Sequence, residues 1–147
     1  MQQHFKYLLE SFDPTTVPED IYQFTKRELD KREIALRVVS TDDIALLFKS
    51  LDRREYYDYI ASIWMRLNGY IISQQMKDKI IADYAVVRRC FRELYPHNDF
   101  LNMRYVLTRL FEINKIAISI KQTWSPDRKK IYDAIWDKIM IKAVGFI

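Results

Sequence analysis

Residues 73–95, SQQMKDKIIADYAVVRRCFRELY, decide the fold. Met76, Ile80, Tyr84, Val87, Phe91 and Leu94 recur there at spacings of three and four, the period of one helix face and not of a strand. They predict the longest helix of the chain, opened by Ser73 and ended near Tyr95 by Pro96, His97, Asn98 and Asp99. Arg88, Arg89 and Arg92 lie on the flank beside that stripe.

The same period recurs on either side. From Phe100 or Leu101 to Asn114, the residues Leu101, Met103, Val106, Leu107, Leu110, Phe111 and Ile113 are apolar over most of a helix circumference, which predicts a helix central in the fold. Ser125-Pro126-Asp127 then combines a cap, a first-position proline and an acid in the first turn, a helix start. That helix is expected to turn Ile131, Tyr132, Ile135, Trp136 and Ile139 inward, leaving Arg128, Lys129 and Lys130 near its beginning. Cations there oppose the helix dipole, so something other than local helix stability favours them.

Upstream, Pro18 with Glu19 and Asp20 opens a helix running to about Glu33, its acids facing the positive end of the dipole. Its stretch from Lys26 to Glu33 is nearly all charged, with Glu28 placed to pair with Lys31 and Arg32, and reads as a solvated face before a binding surface. Ser40 or Thr41 caps a short helix through Leu51 that puts Ile44, Leu47, Phe48 and Leu51 on one face. Asp42 and Asp43 in its first turn complement the dipole; adjacent helical residues point about 100° apart, so they make no catalytic pair. A helix over 53–67 carries Tyr56, Ile60, Ile63, Trp64 and Leu67 on one stripe and stops at Asn68-Gly69, Gly69 being the left-handed residue past a helix end. The run Tyr56, Tyr57, Tyr59 invites base stacking, but its place on or beside the stripe favours core packing. Trp64, Phe91, Phe111, Ile135 and Trp136 are the expected core aromatics and aliphatics.

Two stretches resist a helical reading. Residues 34–39 are rich in branched apolar side chains, and Ile116, Ile118 and Ile120 alternate with Ala117 and Ser119. They either pair as a small ribbon or run as buried extended linkers.

Composition agrees with helices. The chain has 147 residues, 49% apolar and 30% charged, with 2 Gly and 4 Pro, which excludes collagenous and disordered classes and leaves few tight turns for a sandwich or barrel. The fold expected is all-α, a compact bundle of six or seven helices in a single domain over 1–147, with at most one short two-stranded ribbon. No apolar run approaches the ~20 residues of a membrane span, and residues 1–10 lack the basic start and apolar core of a signal peptide. The chain therefore reads as soluble and unexported.

Chemistry-bearing motifs are scarce. Cys90 is the single cysteine, so no disulfide framework, cysteine-based zinc shell or iron–sulfur site is expected, and a reducing compartment fits. Two glycines 76 residues apart cannot make a phosphate-cradling loop. Cys90 with His97 or His4 is the one nucleophile pair to be assembled, and a thiol beside Phe91 reads as buried and inert. Neither histidine has a partner at metal-ligand spacing. No catalytic residue, metal or cofactor is assigned, and the chain is expected not to be an enzyme.

Charge is distributed unevenly. Residues 1–75 carry 10 Lys+Arg against 12 Asp+Glu, net −2, while 76–147 carry 14 against 8, net +6. The basic half is expected to present Arg88, Arg89, Arg92, Lys129 and Lys130 as one surface for nucleic acid or an acidic protein partner. The alternative is a scattered, solvated set of charges.

With these segments placed, the motif order resembles the C-terminal domain of the poxvirus-type viral late transcription factor three family of large DNA viruses. The resemblance spans approximately Phe12 to Phe146. It rests on Ser40-Thr41-Asp42-Asp43-Ile44, on the tyrosine-rich helix closing with Ile63 and Arg66-Leu67-Asn68-Gly69, and on Phe100-Leu101-Asn102 followed by Tyr105-Val106-Leu107. Its last motif is the ending from Ser125 to Ile139 around Arg128, Lys129, Tyr132, Ile135, Trp136 and Lys138. The resemblance implies a non-enzymatic factor for late-gene transcription, docking on viral RNA polymerase, other late factors or promoter DNA. It places that factor in the host cytoplasm, at the viral factory, or packaged in the virion. Family members commonly begin with a cysteine-rich zinc-binding segment that this chain lacks, which leaves a truncated piece or a shorter relative as readings. The competing expectation is a structural or adaptor protein of the virion that binds only protein.

Overall fold

The computed structural model describes residues 2–32, 39–118 and 124–147. Among them run seven α-helices: α1 (Gln2–Glu10), α2 (Glu19–Lys31), α3 (Thr41–Ser50), α4 (Ile60–Leu67), α5 (Gln74–Leu94), α6 (Met103–Ile113) and α7 (Pro126–Lys142). A 3-10 helix, Arg54–Tyr59, precedes α4. The described residues contain no strand, and the fold is all-α. Of the two ribbon candidates, 34–38 and 119–120 lie outside the described residues, and 116–118 have no regular secondary structure.

Contacts divide the chain into two compact units, Tyr7–Ser73 and a second that joins Gln74–Ile147 with the N-terminal residues through Lys6. In the first unit, α2 buries Tyr22, Thr25 and Leu29 at three- and four-residue spacing. Its charged end stays solvated, with Lys31 Nζ 3.2 Å from Glu28. The start of α3 is a capping box: the Asp43 amide donates to Ser40 Oγ at 3.1 Å, and the Ser40 amide donates to the Asp43 carboxylate at 3.0 Å. Two orphan donors are thereby satisfied. Ile44, Leu47 and Phe48 of α3 then join Val17, Tyr22, Leu29, Val39 and Ile63 in one apolar cluster.

The expected helix over 53–67 is two elements. Residues Arg54–Tyr59 wind as a 3-10 helix and only Ile60–Leu67 is α-helical. Three residues per turn line Tyr56 up with Tyr59, and all three tyrosines pack half-buried against the apolar cluster. Their packing, which an α-helical turn would spread around the axis, fixes the tighter winding. Trp64 is also only half-buried; its indole N–H donates to the Val39 carbonyl at 3.0 Å. Past α4, Gly69 is left-handed (φ 61°), the Tyr70 amide donates to the Met65 carbonyl at 2.8 Å and the Gly69 amide to that of Arg66 at 3.3 Å. This is the paired-bond helix stop expected of a left-handed residue.

In the second unit, α5 packs against both α6 and α7. Its inward line is Ile80, Tyr84, Val87 and Phe91, with Cys90 beside it; Leu94, at the helix end, is 37% exposed. Tyr105, Val106, Leu107, Leu110 and Phe111 of α6 are all buried, in keeping with its broad apolar circumference, while α5 is the helix packed against both neighbours. The cap of α6 is Asn102, whose side chain accepts from the Arg104 and Tyr105 amides. The line that α7 turns inward is Tyr132, Trp136, Ile139 and Ala143, at spacings of four, three and four. Ile135 is half-buried and Ile131 is 60% exposed, against expectation. Apolar residues occupy more than one face of α7, and the face that meets its neighbours excludes Ile131.

One helix, α1, was not expected. It contributes Phe5, stacked on Tyr84 with ring centroids 4.0 Å apart and planes at 15°. Phe5, Leu8, Leu9 and Phe12 stand at helical spacing, and that period is the signal by which the helix was legible.

Candidate partner-binding groove

Arg88 and Arg92 each follow an inward residue, Val87 and Phe91, by one position. A step of about 100° carries them to the flank of the buried stripe, one turn or about 6 Å apart along the axis. There Tyr84, Ala85, Arg88, Arg89, Arg92 and Glu93 line a groove of about 340 Å³. A smaller hollow of about 130 Å³ adjoins the same two arginines and is walled by Phe91, Asn98, Asp99 and Phe100. The three arginines named from sequence therefore line one groove.

Among the described residues no ion pair is formed by Arg88, Arg89 or Arg92. Arg89 stacks over the Phe146 ring at 5.3 Å. The one acid of the main groove, Glu93, is paired with Lys142 of α7 at 3.0 Å.

Two buried polar atoms here lack hydrogen-bond partners, the Tyr84 hydroxyl and Arg88 Nε. Tyr84 is held by the stack on Phe5 and by an edge contact with Phe100 at 5.8 Å. Burial pushes its hydroxyl above the ordinary tyrosine range, while the adjacent positive charges of Arg88 and Arg92 pull it back. Sequence reasoning assigned Tyr84 to the core only; its place four and eight residues before Arg88 and Arg92, on the same helix face, was the available signal.

The lysines of the predicted surface stand elsewhere. Lys129 lies thirteen residues before Lys142, about 20 Å of helix, and Lys142 is the α7 residue that reaches Glu93. Its ammonium is engaged with Asp133 at 2.7 Å, which accounts for a cation in the first turns of α7. Lys130 is exposed. Cys90 is buried and free, and His4 and His97 are exposed. No group of three or more His, Cys, Asp or Glu placed to hold a metal occurs among the described residues, nor is any described helix long and apolar enough to cross a membrane.

The fold is all-α, and among the described residues the arginines of its α5 groove form no ion pair. The family is given by comparison: residues 2–145 match the family described as Poxvirus Late Transcription Factor VLTF3 like, and the chain belongs to it. A relative is the "Putative transcription factor R429" of Acanthamoeba polyphaga mimivirus, 29% identical over 110 residues. The match covers 71% of this chain and 26% of that protein, so the chain spans about a quarter of the curated relative. No solved structure matches the chain.

Proposed function

We propose that this chain is a non-enzymatic module of a viral late transcription factor, acting in the host cytoplasm on the viral transcription machinery. The family match across 2–145 carries the reading, and the name of the mimivirus relative agrees with it. Within the module, the arginine groove of α5 is the contact surface, with Lys129 and Lys130 at the far end of α7 as a second patch. The partners are the viral RNA polymerase, other late factors or promoter DNA. A helical module of this kind acts by binding, since polymerase recruitment requires a complementary surface and no bond making.

The test is capture of tagged protein from infected cells after nuclease treatment, paired with a late-promoter reporter during depletion of the chain. Polymerase subunits or late factors should remain bound, and late reporter output should fall. Unchanged late output, with only virion structural proteins captured, would overturn the reading.

A further inference from the structure

We propose that the α5 groove is a sequence-independent site for the phosphodiester backbone of nucleic acid, held by Arg88 and Arg92 with the Tyr84 hydroxyl as a neutral donor. This deepens the transcription-factor reading and rests on it. Three observations carry the assignment. Arg88 and Arg92 stand one turn apart without a carboxylate partner among the described residues and wall both hollows. The hydroxyl of Tyr84, a fully buried groove residue, and Arg88 Nε are both without hydrogen-bond partners. Of the two acids at the hollows, Glu93 in the main groove is paired with Lys142, and Asp99 walls only the smaller one.

The spacing of the donors favours a polyanionic strand over a lone carboxylate. One guanidinium fork engages both charged oxygens of either group, so two unpaired forks a helical turn apart on one face suit successive charges of a strand. A backbone phosphate presents its two charged oxygens from a tetrahedral centre to more than one donor at once, and the Asp99 carboxylate in the smaller hollow directs the strand to the main groove. A net +6 over residues 76–147 adds the long-range attraction that such a strand requires.

The experiment uses the full chain with a short fluorescent duplex DNA of arbitrary sequence and a shuffled duplex. Affinity is measured across a salt series for wild type, Arg88→Gln, Arg92→Gln, Tyr84→Phe and a charge-matched control, Lys49→Gln. Polyglutamate serves as a competitor. Both duplexes should bind alike, and each arginine substitution should lower the salt slope by about 1. Tyr84→Phe should weaken binding several-fold at an unchanged slope, because the lost donor is neutral. It should leave thermal stability intact, because the hydroxyl has no partner to lose. The Lys49 control should match wild type.

Slopes unmoved by the arginine substitutions, or displacement by polyglutamate as effective as by unlabelled DNA, would overturn the assignment. Loss of late-reporter output in Arg88→Gln/Arg92→Gln without loss of DNA affinity would overturn the phosphate site and leave the transcription reading standing. Unchanged late output on depletion, with salt-dependent DNA binding through Arg88 and Arg92, would do the reverse.

Discussion

Tyr105 of α6 donates its hydroxyl hydrogen bond to one oxygen of Asp133 on α7, while Lys129 holds the other oxygen at 2.7 Å. The arrangement ties two helices through one carboxylate. Lys129, beside it, and then the Tyr105 hydroxyl hold the Asp133 carboxyl below its ordinary range. Burial, and then the bond to Asp133, push the Tyr105 hydroxyl well above the tyrosine range.

The two shifts act at opposite ends of the pH scale. A depressed carboxyl contributes stability above its unfolded value of about 4, lost as pH falls through the folded value. A raised phenol contributes below its unfolded value of about 10, lost as pH climbs toward the folded one. Tyr105→Phe should cost about 1 kcal/mol at neutral pH, flatten the alkaline loss and weaken the acid one. Thermal midpoints across pH for both proteins check it; identical alkaline limbs would refute the role of Tyr105.

Trp136 and Trp64 should separate on truncation. Trp136 is 1% exposed and makes an edge contact with Tyr105 at 6.2 Å, so Trp136→Ala should cost about 3–5 kcal/mol. Trp64, half-buried, should cost less, part of it from the lost bond to the Val39 carbonyl. Denaturant unfolding of the two variants measures the order, and an equal or reversed order would contradict the packing described.

Helix caps give a third expectation. Ser40→Ala removes the acceptor of the Asp43 amide, and Ser125→Ala that of the Arg128 amide. Each should cost about 1 kcal/mol. Asp43→Asn should retain more stability than Asp43→Ala, since an amide oxygen still accepts from Ser40, and urea midpoints would reveal any failure of that ranking.

Lys115 ends α6 in a left-handed conformation, φ 58°, with the Ile116 amide donating to the Phe111 carbonyl at 2.8 Å. This repeats the helix stop at Gly69 with a side chain where glycine is favoured. Lys115→Gly relieves about 1–2 kcal/mol of backbone strain and loses about 0.5–1 kcal/mol to unfolded-chain entropy. A small net stabilisation in calorimetry is expected; a destabilisation above about 1 kcal/mol would mean that the lysine stem packs.

The helical identity of α2, α3, α5, α6 and α7 followed from sequence alone. Their apolar residues repeat at helical spacing, and Pro18, Ser40 and Ser125 mark the starts of α2, α3 and α7. Such signals act within a turn or two of chain, so they survive without knowledge of neighbours. The grouping of Arg88, Arg89 and Arg92 was legible for the same reason, since one helix places all three.

Only tertiary structure decided what depends on a neighbour. The face of α7 that turns inward is the line of Trp136 and not that of Ile131, because both are apolar and packing chose between them. The winding of Arg54–Tyr59 follows the surface its tyrosines must cover. Lys129 is drawn into the Asp133–Tyr105 link while the α5 arginines keep unpaired charge. Sequence states which charges exist; which are neutralised depends on carboxylates brought near by folding, and electrostatic attraction within a few ångströms is decided by that proximity.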